Sequence, residues 1–130
     1  MLKEHIEFID NKAIQNTADN YVNVVVNVPE VLESWKLSLF SFEWLSPEGT
    51  IKTLEDLPEK ERPKRQTVEE KLQDGQPIEK PVLGIGTQDN VEIGIGRAEF
   101  LTLAAGGLTQ IPVHIPKSHE SDFQGFLAET

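Results

Sequence analysis

The sequence predicts a single α+β domain in which helices flank a mixed β-sheet. The chain has 130 residues, a length typical of one domain with one core. Hydrophobic residues make up 38% and charged residues 26% of the chain, an ordinary globular composition. Apolar β-branched runs also alternate with amphipathic helical segments. We divide this domain into N-terminal strands and a helix (1–53), a charged connector with a short helix (54–80) and a C-terminal core (81–130).

Two strands and a helix are predicted in the N-terminal part. Residues 5–10 alternate weakly between apolar and polar side chains, and residues 21–28 form a β-branched run that ends at Pro29. These two strands could pair as a hairpin. Apolar side chains at positions 31, 32, 35 and 39 share one helical face, with Pro29 in the first turn. This spacing predicts a helix that ends at about residue 39.

The segment that follows has two competing interpretations. Residues 39–45 alternate with period two, which favours a strand, but the predicted helix reaches the same segment. Residues 50–53 could pair back across the turn at residues 46–49. The same region holds the main aromatic concentration of the chain, which we interpret as core, with a partner-binding surface as the alternative. These aromatic residues are Trp35, Phe40, Phe42 and Trp44.

The connector is polar and predicts a short surface helix over residues 67–74. Thr67 and Glu70 have the spacing of a capping box, and Gly75 follows as a stop signal. Five basic side chains lie close together in this part, with glutamates between them, and we interpret them as a solvent-exposed surface of mixed charge. They are Lys60, Arg62, Lys64, Arg65 and Lys71.

The C-terminal core has the clearest local signals. Residues 82–86 and 91–95 are glycine-punctuated apolar strands joined by a polar turn. A helix is predicted to begin at residue 97 and to end at Gly106 and Gly107. A strand over residues 111–115 and an amphipathic turn within residues 120–128 complete the domain. The predicted apolar face of the helix consists of Phe100, Leu101, Ala104 and Ala105.

The turn between the second of these strands and the helix is the candidate site. At such a junction, backbone N–H groups and the helix dipole can hold an anion. Arg97 has two interpretations: it meets the anion, or it pairs with Glu92 or Glu99 or lies in solvent. The turn lacks a third glycine at fingerprint spacing, which disfavours a dinucleotide site. The predicted ligand-binding residues, called the 94–97 turn below, are Gly94, Ile95, Gly96 and Arg97.

This C-terminal third resembles the ParB/sulfiredoxin-like superfamily. Glu92-Ile-Gly-Ile-Gly-Arg, an alanine-rich helix, Gly107-Leu and Ile111-Pro-Val follow one another in the order of that family's core. The resemblance implies a ParB/sulfiredoxin-like fold whose turn engages phosphates through basic residues. Ile95 occupies the acidic position, and the next positions are Arg97, Ala98 and Glu99, so one basic residue is retained. The pocket is therefore expected to be degenerate or repurposed, and the absence of the sulfiredoxin cysteine excludes thiol chemistry.

Charge and composition exclude several functional classes. The formal net charge of −10 disfavours nucleic acid as a partner. The chain has no cysteine, no signal-peptide core and no apolar run of membrane-spanning length, which together predict a cytoplasmic protein. No cofactor is assigned. A metal site formed by His114 and His119 with Glu120 or Asp122 is disfavoured, because the two histidines lack the spacing of a helical pair.

The leading hypothesis is a non-catalytic protein that binds a protein partner or a small phosphate-bearing ligand at the 94–97 turn. One alternative is a nucleotide-dependent phosphoryl-transfer or nuclease-type enzyme, which requires Lys64 and Arg65 to fold over that turn and replace the missing basic groups. A second alternative is an acidic mimic of DNA, which requires a one-sided stripe of carboxylates.

Overall fold

A four-stranded mixed sheet organises the fold in the computed structural model, which describes residues 6–128. Together with a separate two-stranded sheet and three α-helices in those residues, it makes the chain an α+β domain, as predicted. The strands are β1 Phe8–Ile9, β2 Tyr21–Asn27, β3 Ile78–Glu79, β4 Val82–Ile85, β5 Val91–Ile95 and β6 Gln110–Pro116. The helices are α1 Val28–Trp35, α2 Arg62–Gln73 and α3 Arg97–Ala105. None of the helices between residues 6 and 128 has the length and apolar character that a membrane crossing requires.

The strands of the main sheet are in the order β2-β6-β4-β5. Strands β2 and β6 are antiparallel, β6 and β4 are parallel, and β4 and β5 form an antiparallel hairpin. The β2–β6 pair is the longest and extends from Tyr21 opposite Pro116 to Asn27 opposite Gln110. The N-terminal and C-terminal parts of the chain therefore share one sheet.

The predicted hairpin between the first two strands is wrong. Strand β1 pairs in parallel with β3, so that Phe8 lies opposite Ile78, whereas β2 pairs with β6. A 3₁₀ segment, Lys12–Asn20, separates β1 from β2. Burying Val26 of β2 requires the apolar residues of β6 as neighbours, and that requirement, not closeness in sequence, determines the partner strand. His5, at the start of the predicted first strand, lies outside the described residues.

Helix α1 begins as predicted but ends at Trp35 instead of residue 39. The Asn27 side chain caps its first turn by accepting a hydrogen bond from the Glu30 N–H group. Beyond the end of the helix, the single Ser41 hydroxyl proton is shared between the carbonyls of Lys36 and Ser38 and stabilises a compact turn.

Residues 39–45 form neither the predicted helix end nor the competing strand. A 3₁₀ turn, Ser41–Glu43, occupies the centre of this segment. The predicted pairing across residues 46–49 is present as one isolated bridge between Leu45 and Ile51. We call residues 36–43 the aromatic loop.

Helix α2 begins at Arg62, five residues before the predicted start. The capping box is therefore wrong: Thr67 lies inside the helix, where its hydroxyl donates to the Pro63 carbonyl. Pro63 in the first turn favours the earlier start, because its missing N–H group and its constrained φ suit that position. The end of the helix is close to the prediction, and Gly75 follows it with a positive φ of 68°.

The C-terminal elements are confirmed to within one or two residues. Asp89, with a φ of 60°, closes the β4–β5 hairpin in the left-handed conformation that such short loops use. One detail of α3 differs from the prediction: Ala105 is exposed, whereas Thr102 and Leu103 are buried beside Phe100 and Leu101. The helix is buried more widely because it packs against α2 and contributes Phe100, Leu101 and Leu103 to the hydrophobic core.

The aromatic residues divide between core and surface. Trp35 and Trp44 are fully buried, as predicted, but Phe40 and Phe42 are exposed, so the core interpretation is wrong for those two. The C-terminal turn docks as predicted: Phe123 is fully buried, and an isolated bridge between Leu127 and Val26 closes the outer edge of β2.

Candidate functional site

The 94–97 turn joins β5 directly to α3. Gly96 precedes the helix with a left-handed φ of 81°, and its carbonyl accepts the Phe100 N–H group in the first helical turn. A Cβ atom at Gly96 would lie 3.0 Å from the Pro81 Cα atom. Glycine at this position therefore has a structural role in the chain reversal that is independent of any ligand.

A cleft of about 450 Å³ lies beside this turn, between α2 and α3. Three of the four predicted ligand-binding residues line it, whereas Ile95 does not and is exposed on β5. The lining residues are Glu61, Lys64, Thr67 and Val68 from the α2 side and Gly94, Gly96, Arg97, Ala98 and Glu99 from the turn and α3.

Arg97 packs against aromatic rings. Its guanidinium carbon lies 5.8 Å from the centre of the Trp35 ring and 5.1 Å from that of Phe40, within the range of cation–π attraction. Its Nη2 atom donates to the Ile93 carbonyl at 3.3 Å, and its Nε atom is buried without a partner. Within residues 6–128 it forms no ion pair with Glu92 or Glu99, which corrects that interpretation.

Glu61 is a buried carboxylate at the cleft that the sequence did not indicate. Its Oε1 atom accepts the Trp44 indole N–H at 3.0 Å, and its Oε2 atom accepts from the Lys64 ammonium at 3.0 Å. Burial alone would raise the pKa of Glu61, but these hydrogen bonds and the charges of Lys64 and Lys60 outweigh burial and lower it below the usual value. Glu61 is therefore ionised at neutral pH.

The connector's basic side chains do not converge on the turn. Lys64 borders the cleft, but its side chain is 61% exposed and is paired with Glu61. Arg65 donates instead to the Lys52 carbonyl at 2.8 Å and to Glu69. The condition for the enzyme hypothesis, that both side chains fold over the turn, is therefore not met, because Lys64 binds Glu61 and Arg65 binds Lys52 and Glu69.

An exposed apolar surface lies next to the turn. Four side chains of the aromatic loop are between 53% and 80% exposed, and Ile95 of β5 is 43% exposed. Phe40 belongs to this surface and also contacts Arg97, so the surface and the turn are continuous. The apolar surface consists of Leu37, Leu39, Phe40, Phe42 and Ile95.

Polar contacts anchor the aromatic loop to the rest of the domain. The Ser38 hydroxyl donates to the Glu92 carboxylate of β5 at 2.6 Å, and Lys52 donates to the Phe42 carbonyl at 2.7 Å. Glu43 pairs with Lys60 at 2.8 Å. The loop therefore presents its apolar side chains from an anchored backbone.

Side chains cap part of the free edge of β5, which lies at the end of the sheet. The Val91 N–H group donates to the Ser34 hydroxyl at 2.8 Å, and the Val91 carbonyl accepts from the Asn90 amide at 3.0 Å. The Arg97 side chain donates a hydrogen bond to the Ile93 carbonyl. These contacts disfavour the addition of a partner strand at this edge, so a partner at this face would contact side chains.

Two histidines, His114 and His119, accept hydrogen bonds from backbone N–H groups. His114 Nε2 accepts from Asn11, and His119 Nδ1 accepts from Ile85, each at 3.1 Å. Among residues 6–128 no group of three or more histidine, aspartate or glutamate side chains has a metal-binding arrangement.

Comparison with known proteins gives no match. The chain matches no protein-family model, no curated protein and no solved structure. We therefore infer function from the geometry of the turn, the cleft and the apolar surface.

Proposed function

We propose that this chain is a non-catalytic binding protein that docks a protein partner on the apolar surface beside the 94–97 turn. The observation that carries this proposal is the exposure of four large apolar side chains on one anchored loop. Contiguous exposed apolar groups mark interaction sites in soluble proteins, and phenylalanine is enriched at the centres of protein interfaces. A cytoplasmic location belongs to the same proposal, since nothing in a chain without cysteine requires an oxidising compartment.

The scaffold of this binding protein is, in our proposal, ParB/sulfiredoxin-like. The succession of β5, the 94–97 turn, α3, Gly107-Leu108 and β6 supports this assignment, because it follows the order that the sequence resemblance implies. Ile111, Pro112 and Val113 lie within β6 at the expected place. The retained elements are those that form the fold, whereas Arg97 is the one basic group of the turn that is retained.

The electrostatics of the cleft favour a protein partner over a phosphate-bearing ligand. Glu61 and Glu99 line the cleft and offset the charges of Lys64 and Arg97, so the cleft has no excess of positive charge to attract an anion. The Arg97 Nη2 atom already donates to the Ile93 carbonyl and its Nε atom is buried, so the side chain would have to reorient to form a two-pronged hydrogen bond with phosphate. The net charge of −10 disfavours a second copy of this chain and favours a partner of net positive charge through long-range attraction.

A displayed library of random peptides tests the proposal. We expect wild-type protein to select peptides rich in aliphatic and aromatic residues flanked by Lys or Arg. Replacing Leu39 and Phe42 together with serine is expected to weaken their binding by at least about tenfold, since losing two central apolar contacts costs more than ~1.4 kcal/mol. Both side chains are exposed, so the fold should be retained. Fluorescence anisotropy with labelled peptides provides the affinities.

Val25→Ser provides the matched control, because Val25 is an exposed apolar residue on β2 outside the apolar surface. Its variant should bind the selected peptides as the wild type does. Peptides that bind the double variant equally well would contradict the proposal. Self-association of the wild type in sedimentation experiments, lost in the double variant, would identify a second copy as the occupant and overturn the choice of a basic partner.

Phosphate ligands are expected to leave the melting temperature unchanged. A ligand present at 100 times its dissociation constant would add about 2.7 kcal/mol of stability, which differential scanning fluorimetry detects easily. Nucleoside triphosphates and inorganic phosphate should be tested with and without magnesium. A shift that Arg97→Met abolishes would overturn the proposal and establish the turn as a phosphate site, since methionine keeps much of the packing of Arg97 and removes its charge.

A further inference from the structure

One buried histidine holds the N-terminal segment, residues 6–20, against the main sheet. His114 lies on β6 opposite Asn23 of β2, and its side chain is 4% exposed. Its Nε2 atom accepts the Asn11 N–H group at 3.1 Å. The Asn11 side chain in turn donates to the Lys80 carbonyl at 2.9 Å and caps the 3₁₀ segment by accepting from Ala13. Asn11 thus connects the segment to both β6 and the start of β4.

This contact requires a neutral imidazole. Nε2 can accept the Asn11 N–H group only when it carries no proton, so the proton of neutral His114 is on Nδ1. Burial lowers the pKa of His114, and the nearby charge of Lys80 lowers it further, while Asp10 partly offsets both. At neutral pH the hydrogen bond is therefore intact.

Protonation would replace this contact with another. A protonated Nε2 is a donor and would face the Asn11 N–H group, which is also a donor. The Asp10 carboxylate lies 4.0 Å from Nε2 and is 76% exposed, so a small movement would bring it into hydrogen-bonding distance. Lys80, which binds Asp10 at 3.3 Å, opposes this rearrangement. Lys12 and Tyr21 are the other titratable groups that line the same cleft as His114.

We propose that His114 is a pH-sensitive lock on the N-terminal segment. Neutral His114 holds Asn11 on the sheet, whereas protonated His114 releases Asn11 and itself pairs with Asp10. The release remodels a cleft of about 300 Å³ between the segment and the sheet, because Asn11 and Ile14 form its wall while Tyr21 and Asn23 form its floor. The opening is local, since the β1–β3 pair and the buried Ile14 still hold the segment on either side of Asn11.

The direction of the pH effect follows from the protons bound in each state. In the unfolded chain His114 has its ordinary pKa of 6.5, whereas the folded chain has a lower one. Above pH 6.5 both states are neutral and the contribution of His114 to stability is fully present. As the pH falls from 6.5 through the native pKa, the unfolded state binds the proton first and that contribution is lost.

Amide hydrogen exchange, read by NMR alongside the imidazole titration, tests the lock. We expect the protection factor of the Asn11 amide to fall by about tenfold for each pH unit between 6.5 and the native pKa of His114, and to level off below that pKa. Amides of β2 that pair with β6 should keep their protection. In His114→Gln the side-chain oxygen accepts at any pH, so Asn11 protection should be independent of pH. The matched control is His119→Gln, which removes the other imidazole acceptor and should keep the wild-type response.

Constant Asn11 protection while His114 titrates would overturn the lock. A His114→Gln variant in which Asn11 protection keeps its full pH dependence would also overturn the lock, because the pH dependence would then come from carboxylates. Asp10→Asn removes the negative charge that would pair with protonated His114 and is expected to lower the pH at which Asn11 is released; no change would contradict the partner exchange. If His114→Gln does not fold, wild-type exchange and Asp10→Asn still decide the question.

Discussion

Replacing Trp44 with alanine is expected to destabilise the domain by about 3–5 kcal/mol, the usual cost of deleting a large aromatic side chain from a packed core. Trp44 is fully buried, whereas Phe42 lies two residues away and is 69% exposed. We expect Phe42→Ala to change the free energy of unfolding by no more than about 0.5 kcal/mol. Urea unfolding followed by tryptophan fluorescence or circular dichroism measures both variants. A similar loss in the two variants would contradict the assignment of Trp44 to the core and Phe42 to the surface.

The two buried tryptophans differ in whether the indole N–H group has a hydrogen-bond partner, so their phenylalanine variants form a matched pair. Phenylalanine at position 44 removes the N–H group that binds the Glu61 carboxylate, and leaving a buried charged group short of a partner costs roughly 1–3 kcal/mol. The Trp35 indole N–H is buried without a partner, so phenylalanine there loses no hydrogen bond. Trp44→Phe should therefore destabilise more than Trp35→Phe. The opposite order would show that the Trp44–Glu61 contact contributes little.

Replacing Gly96 with alanine is expected to cost about 2–5 kcal/mol. The left-handed conformation of a residue with a Cβ atom contributes about 1–2 kcal/mol, and overpacking against Pro81 adds about 1–3 kcal/mol. The first cost follows from the φ of 81°, and the second from the 3.0 Å approach of the new Cβ atom to the Pro81 Cα atom. Equilibrium urea unfolding measures the loss.

Gly107 is the control for this prediction, because its φ of 102° is also left-handed but a Cβ atom there would meet nothing within 4 Å. Gly107→Ala should show the backbone cost alone, about 1–2 kcal/mol. Equal losses at the two glycines would mean that Pro81 does not constrain the turn. The result also decides how binding is best tested. If Gly96 is structural, its substitution cannot separate a loss of binding from a loss of folding, whereas the exposed Leu39 and Phe42 can be replaced without disturbing the fold.

The C-terminal elements could be predicted because their signals are local. Asp89, Gly96 and Gly107 adopt left-handed conformations, and each marks the end of an element within a few residues. The aromatic loop could not be predicted in the same way. Its alternating pattern satisfies a strand, yet the Ser41 hydroxyl binds two local carbonyls and converts the segment into a turn. Period two predicts the faces of a strand only where a partner strand is available.

The candidate site also combines features that local sequence signals predict with features that only long-range contacts produce. The sequence located the strand-to-helix turn, whereas the need for glycine at position 96 follows from its left-handed φ and its approach to Pro81 in the structure. It did not indicate that Arg97 would pack on Trp35 and Phe40, which are far from it in the chain. Nor did any spacing indicate the contact between Trp44 and Glu61. Both contacts form because α1, the aromatic loop and the start of α2 meet beside β5, and that meeting depends on long-range packing.

The sequence by itself determined the α+β class, the helix and strands of the C-terminal core, and the glycine turn, because capping, turn conformation and hydrophobic period act over a few residues. The tertiary structure decided that β2 pairs with β6, that two aromatic side chains stay on the surface, and that His114 binds the N-terminal segment. These outcomes depend on which apolar faces can be buried together, a property of the whole chain that no short stretch of residues contains.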